Sequence, residues 1–214
     1  MKDFGLYLVM TNPIVGYEAC TEAAVKAGVR MLQLRMKHVA REEIVAVAKR
    51  LRALTAGTQT CFIVNDDPSI AAEVGADGVH VGQDDMPVEA VRRAYPELKI
   101  VGLSTHNLAQ AKCAAEAEGL ARPDYVGVGP VYATPTKEIP DPTLGPDRAG
   151  EMIRAVPFPA VAIGGVNGET LPAVCATGAR NFAVVRPVCQ AQNPYEALCA
   201  LQHQFDELTN KLNK

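Results

Sequence analysis

Tryptophan is missing from the chain, and aromatic residues make up only 5% of it. The core must therefore be built from aliphatic side chains. No apolar run approaches the roughly 20 residues that a membrane helix needs. The first such run, ending at Met10, is cut off by Thr11-Asn12-Pro13, too early for a signal peptide. No Cys-x-x-Cys occurs, and the histidines have no mutual spacing that suggests a metal site. Cys20, Cys61, Cys113, Cys175, Cys189 and Cys199 are scattered, and we read them as reduced structural thiols of a cytoplasmic protein. Neither sign of charge dominates. A net charge of −3 spread along the chain leaves no basic footprint for nucleic acid. Low-complexity tracts, charge blocks and linkers are absent too, so residues 1–214 are expected to form a single domain.

What is present is ordinary globular composition, 48% hydrophobic and 21% charged, arranged as a repeat. Short apolar runs alternate with longer segments of helical spacing. Leu6–Met10 precedes Tyr17–Ala27, Met31–Arg35 precedes Arg41–Leu54, and Cys61–Asn65 precedes Pro68–Glu73. Gly78–Val81 precedes Pro87–Tyr95, Lys99–Leu103 precedes Asn107–Glu118, and Tyr125–Gly129 precedes Asp147–Ala155 after a long loop. Ala160–Ile163 precedes Glu169–Thr177, and Phe182–Val185 precedes Pro194–Asn213. The runs are apolar on both faces, as parallel strands covered by helices must be. Gly28, Gly75 and Gly178 stand where a helix needs a left-handed C-terminal cap. Pro68, Pro87 and Pro194 stand at helix starts. Eight such units favour an α/β fold of the (β/α)8 (TIM) barrel type over an open doubly wound sheet, although 214 residues is slightly short of the typical length of about 250.

In such a barrel the site lies at the C-terminal ends of the strands, and the polar residues gather there. Gln33-x-Arg35-x-Lys37 alternates at strand spacing, so the three side chains share a direction. Pointing inward, the fork of Arg35 and the mobile charge of Lys37 suit a phosphate or diphosphate. Pointing outward, they are surface cations partnered by Glu42 or Glu43. Asp66 and Asp85, on neighbouring strand ends, form the sparse carboxylate set that Mg2+ accepts together with phosphate oxygens. Helix capping competes with that reading: Asp66 or Asp67 could cap the helix at Pro68, and Asp85 the one at Pro87. Ser104, Thr105 and His106 end strand 5. Thr134, Thr136 and Lys137 belong to a loop running to about Leu144, which is either an active-site lid or a surface excursion. Gly164-Gly165 ends strand 7 and Arg186 ends strand 8, where phosphate sites of these barrels commonly lie. His80 sits inside the apolar run GVHVG and reads as a hydrogen-bonded core or rim residue. His203 reads as solvated.

The motifs LYLV, QLRMK, VNDDPSIAAEVGADGVHVGQDDMP, GLSTHN, DYVGVGPVYATPTK, VAIGGV and AVVRPV, in this order from Leu6 to about Val188, resemble the thiamine phosphate synthase family. Single glycine patterns are unspecific; the ordered set is highly specific. The resemblance implies a transferase that joins an aminopyrimidine methyl diphosphate to a thiazole ethyl phosphate, or its carboxylated precursor, releasing pyrophosphate. It implies that Gln33, Arg35, Lys37, Asn65, Ser104 and Lys137 hold the pyrimidine diphosphate, with Arg35, Lys37 and Lys137 stabilising the departing charge. It further implies that Asp66 and Asp85 hold Mg2+, and that Thr134, Thr136, Gly165, Val185 and Arg186 hold the thiazole phosphate. The implied partners are small-molecule substrates, with no nucleic acid and no membrane; a homo-oligomer is compatible with it. Two positions depart from the family's pattern. Met36 replaces a Glu, and alternation turns it away from the site. Arg186 stands where many members have Ser. Two alternatives are a thiazole tautomerase of the same superfamily and a catalytically silent thiamine-precursor binder. The first would not require Lys37, Asp66, Asp85 and Lys137 together.

Overall fold

A computed structural model describes residues 1–134 and 142–212. Its eight strands, β1 (Gly5–Met10), β2 (Met31–Leu34), β3 (Cys61–Asn65), β4 (Gly78–Val81), β5 (Ile100–Thr105), β6 (Tyr125–Val128), β7 (Ala160–Ala162) and β8 (Asn181–Val184), close into one barrel in sequence order. Every pairing is parallel, including β8 back to β1. The helices α1 (Tyr17–Lys26), α2 (Arg41–Thr55), α3 (Pro68–Glu73), α4 (Val88–Ala94), α5 (Leu108–Glu116), α6 (Gly145–Ala155) and α7 (Leu171–Ala176) cover it, each following the strand of the same number. The expected (β/α)8 barrel is the fold. An unforeseen short helix, α8 (Arg186–Cys189), precedes the long closing helix α9 (Pro194–Leu212). Among the described residues no helix is long and apolar enough to cross a membrane. All six cysteines carry free thiols.

Alternation along the strands divides the apolar residues into two cores. Along β1, Leu6, Leu8 and Met10 join the layer between barrel and helices, whereas Tyr7 and Val9 join Met31, Ile63, Tyr125, Val161 and Ala183 inside the barrel. Loss of one side chain from either set would leave a cavity that close-packed neighbours cannot fill. The chain returns from helix to strand through Gly28, Gly75 and Gly178, whose φ values of 71°, 65° and 92° lie where a Cβ is unwelcome. Pro68 opens α3 and Pro194 opens α9.

The bottom of the barrel repeats a device that sequence reading did not foresee. A carboxylate or amide entering an even-numbered strand accepts a backbone N–H of a neighbouring strand. Asp77 accepts from Phe62 at 2.8 Å, Asp124 from Val101 at 2.7 Å, and Asn181 from Phe4 and Gly5 at 2.7 and 3.2 Å. Arg52 and Arg92 balance the charges of Asp77 and Asp124. These bonds satisfy groups that the ladder leaves open at its N-terminal rim and pin the lower end of the barrel.

Candidate active site

At the opposite rim the strand ends surround a cavity of about 1360 Å3, larger than most small-molecule pockets. The alternating trio of β2 points inward: Gln33, Arg35 and Lys37 all line it. Gln33 is deepest, 3% exposed. Arg35 continues the ladder, donating its backbone N–H to Met10 at 3.0 Å. Burial pushes its guanidinium pKa down, while the Asp66 charge and Tyr17 oppose the shift. Lys37 pairs with Asp66, not with Glu42 or Glu43. Met36 turns away and packs against the outer core, so the departure at that position stays clear of the cavity.

The Asp66–Asp67 pair divides its work. Asp67 is the cap, its carboxylate accepting from Ser69 and Ile70 at 2.8 and 3.0 Å. Asp66 takes a left-handed backbone at φ 63°, a conformation Asp and Asn tolerate better than most residues, and lines the cavity beside Asn65. Nor does Asp85 cap the next helix: α4 has Pro87 at its N-cap and no side-chain cap. Its carboxylate instead accepts the Gly82 N–H at 2.7 Å across the β4 loop and lines the same cavity. One oxygen of each carboxylate is thus engaged and a second is left over. Among the described residues no cluster of three or more His, Cys, Asp or Glu side chains could hold a metal. Two carboxylates with little else match Mg2+, which retains waters and takes phosphate oxygens.

On β5, Ser104 lines the cavity, but Thr105 points outward, fully buried, with its hydroxyl on Gly127 O at 2.9 Å. His106 lines the cavity and is fixed by Gly129 O, 2.7 Å from Nδ1. A carbonyl only accepts, so Nδ1 carries a proton. His203 is exposed on α9, beside Glu207.

The loops after β6 and β7 are joined by backbone bonds, Val131 N–H to Ile163 O at 2.8 Å and Tyr132 N–H to Gly164 O at 3.0 Å. The foot of the β6 loop is drawn together by Leu144 N–H to Pro130 O, 2.9 Å. This junction explains the glycine pair. A Cβ on Gly164 would lie 2.5 Å from Pro130 Cβ, and one on Gly165 2.6 Å from Tyr132 Cβ. Thr134, Gly165, Val185 and Arg186 line the cavity on this side. Thr136 and Lys137 lie outside the described residues, as does most of the expected lid. One placement needs correction. Arg186 does not end β8, which stops at Val184; it is the first residue of α8, with Val185 as N-cap. Pro187 suits the first turn of that helix because its missing N–H has no intrahelical partner there. The Arg186 guanidinium donates to Gln190 at 3.3 Å.

The sequence pattern of the family described as "Thiamine monophosphate synthase" matches residues 6–188. The chain belongs to that family. Among curated relatives, a thiamine-phosphate synthase of Archaeoglobus fulgidus is 39% identical over 199 residues, 92% of this chain and 91% of the relative. One of Vibrio parahaemolyticus is 37% identical over 199 residues, 92% of this chain and 96% of its own length. Among solved structures, a thiamine phosphate pyrophosphorylase from Pyrococcus furiosus superposes with a TM-score of 0.86 at 29% identity, covering 96% of this chain and 97% of that one. A 3-hexulose-6-phosphate synthase, at 20% identity and TM-score 0.67 over 92% of this chain and 99% of that one, shares the fold alone. His80 is the hydrogen-bonded rim residue expected of it, bonded to Tyr125 and Ser104, but two tyrosines of the cavity floor were not foreseen. Tyr7 and Tyr125 sit in otherwise apolar strands and read as core; their only sequence signal was a hydroxyl on an inward position.

Proposed function

We propose that this chain, a transferase of thiamine biosynthesis, condenses the aminopyrimidine methyl diphosphate with the thiazole ethyl phosphate or its carboxylated precursor. The products are thiamine phosphate and pyrophosphate, and residues 1–214 act as one catalytic domain. The observation that carries this reading is convergence. Gln33, Arg35 and Lys37 from β2, Asn65 and Asp66 from β3, Asp85 after β4 and Ser104 on β5 face one cavity, opposite Gly165 and Arg186.

Gln33, the most buried of the set, takes the heterocycle, and the cations above it take the diphosphate. The bond from the pyrimidine methylene carbon to the diphosphate oxygen breaks with both electrons going to oxygen. Arg35, Lys37 and Lys137 hold the charge that collects there, the electrostatic route to a lower barrier. Asp66 and Asp85 would hold Mg2+, which when bound supplies further charge neutralisation on the diphosphate. Thr134, Thr136, Gly165, Val185 and Arg186 hold the thiazole phosphate so that the ring nitrogen faces the vacated carbon. That nitrogen already has its lone pair, so forming the new carbon–nitrogen bond needs orientation and no general base.

The test is pyrophosphate release by the purified protein given both substrates, with and without Mg2+. Mg2+-dependent release matched by thiamine phosphate supports the assignment. Absence of release with both ligands bound points to a silent binder, and binding of the thiazole phosphate alone points to a tautomerase.

A further inference from the structure

The cavity floor carries a continuous chain of hydrogen bonds that the reaction above leaves unused. Gln33 Nε2 donates to the Tyr7 hydroxyl at 2.8 Å, and the Tyr7 and Tyr125 hydroxyls are 2.8 Å apart. Tyr125 OH meets His80 Nδ1 at 2.9 Å, and His80 Nε2 meets Ser104 Oγ at 2.9 Å. The chain thus crosses the barrel through β2, β1, β6, β4 and β5, beginning and ending on residues placed against the pyrimidine diphosphate.

The arrangement is built, not incidental. Phe4 packs edge-on against both phenol rings, with centroids 6.0 and 6.1 Å away. The Tyr125 ring stacks on His80 at 5.4 Å. Their space exists only because residue 102 is glycine: a Cβ there would lie 2.5 Å from the Tyr125 hydroxyl and 2.6 Å from His80 Nδ1. Burial pushes both phenol pKa values up, so each keeps a proton to donate.

A hydroxyl has one proton, and a neutral imidazole has one donor and one acceptor nitrogen. Because a buried donor left without an acceptor is costly, each proton must go to the next member, and the sense of every bond follows from the first. With Gln33 donating, Tyr7 must give its proton to Tyr125, and Tyr125 must give its own to Nδ1 of His80. Nε2 of His80 then donates to Ser104, whose proton is released toward the cavity. In that sense Gln33 has its amide oxygen left as an acceptor, while Ser104 offers a donor. Rotating the Gln33 amide by half a turn reverses all of it: Gln33 would present a donor, and Ser104 only lone pairs.

We propose that this chain makes the two ends of the pocket interdependent, with His80 as the positioning residue that transmits the choice. Resting on the synthase reading, it selects a pyrimidine that presents an amine to Gln33 and an anion to Ser104. An oxo group in place of the amine presents an acceptor to Gln33, forces the reverse sense, and withdraws the Ser104 proton from the diphosphate. The protein is thereby specific for the amino over the oxo pyrimidine through a contact remote from the distinguishing atom.

The test compares kcat/KM for the amino and oxo pyrimidine diphosphates in wild type, Tyr7→Phe and Tyr125→Phe, alongside nitrogen NMR of His80 in the wild type. We expect either phenylalanine to cut the amino-to-oxo ratio about tenfold, the scale of one lost buried hydrogen bond. We also expect His80 to be protonated at Nε2, with and without the aminopyrimidine diphosphate. An unchanged ratio in folded variants, or a neutral His80 protonated at Nδ1, would overturn the proposal. Should Tyr125→Phe not fold, Tyr7→Phe and the wild-type tautomer still decide. A wild type inactive on both pyrimidines would refute the synthase reading instead, and the His80 tautomer would then judge the hydrogen-bond chain by itself.

Discussion

Gly102→Ala adds a single methyl at a crowded point of the barrel interior. The new carbon would lie 2.5 Å from the Tyr125 hydroxyl, closer still to Cζ, and 2.6 Å from His80 Nδ1. Tyr125 is fully buried, held by Phe4 on one side and Tyr7 on another, so it has no room to retreat. Overpacking of this kind costs about 1–3 kcal/mol. The displacement also breaks or stretches the bonds from Tyr125 to Tyr7 and to His80, at about 1 kcal/mol each. A total of about 3–5 kcal/mol corresponds to a melting temperature lower by roughly 6–20 °C for a chain of this size. Gly28→Ala is the control. Nothing lies within 4 Å of a Cβ there, but φ is 71°, so only left-handed strain of about 1–2 kcal/mol applies. The assay is thermal unfolding followed by circular dichroism. If Gly102→Ala proves no more destabilising than Gly28→Ala, the packing account of the cavity floor is wrong.

The Asp66–Asp67 division predicts opposite phenotypes. Asp66→Asn, chosen because asparagine tolerates the positive φ, should lower turnover roughly a hundredfold with little change in melting temperature, and Lys137→Ala should do the same. Asp67→Ala should instead lose about 1 kcal/mol of stability in a denaturant titration while keeping its activity. Arg186→Ser should raise KM for the thiazole phosphate about tenfold through loss of a charged contact; a change confined to the diphosphate substrate would show the two halves of the pocket to be wrongly divided. Alkaline stability should carry the mark of the buried phenols. Their folded pKa values lie above the unfolded value of about 10, so their contribution is complete below that pH and falls as pH rises. The slope should be about 1.4 kcal/mol per pH unit for each phenol, and Tyr7→Phe, followed by denaturant midpoints on both sides of about pH 10, should remove one share of it.

Sequence pattern carried the barrel because its signals are local and repeated. An apolar strand, a helix and a glycine-capped return can each be recognised within a short window, and eight repetitions leave few other closures. The inward direction of Gln33, Arg35 and Lys37 was legible for the same reason, since period-two alternation is a backbone property. Harder to read was the choice between two adjacent, chemically identical side chains. Asp66 and Asp67 both satisfy the composition of a cap, and only the left-handed backbone at Asp66 directs its neighbour onto the helix and itself into the cavity. The end of β8 misled for a related reason. Val184-Val185 continues the strand pattern, yet Pro187 and the backbone turn at Val185 start a helix there, so Arg186 approaches the site from a helical turn.

The polar floor was least legible, because its members lie on five different strands and the two tyrosines that join them look like core. Tyr7, flanked by Leu6 and Leu8, carries no local sign that its hydroxyl has a partner across the barrel. Closure supplies the partner: Gly102 stands opposite both His80 and Tyr125 in the ladder, and without a side chain there those two can meet. The conformational demand on this glycine is absent, since it does not have the positive φ of the capping glycines. Its demand is steric, created by residues 22 positions before it and 23 after it. Such a position can be understood only after the barrel is closed. It also links stability to specificity, because the methyl that would overfill the floor would equally sever the hydrogen-bond path between Gln33 and Ser104.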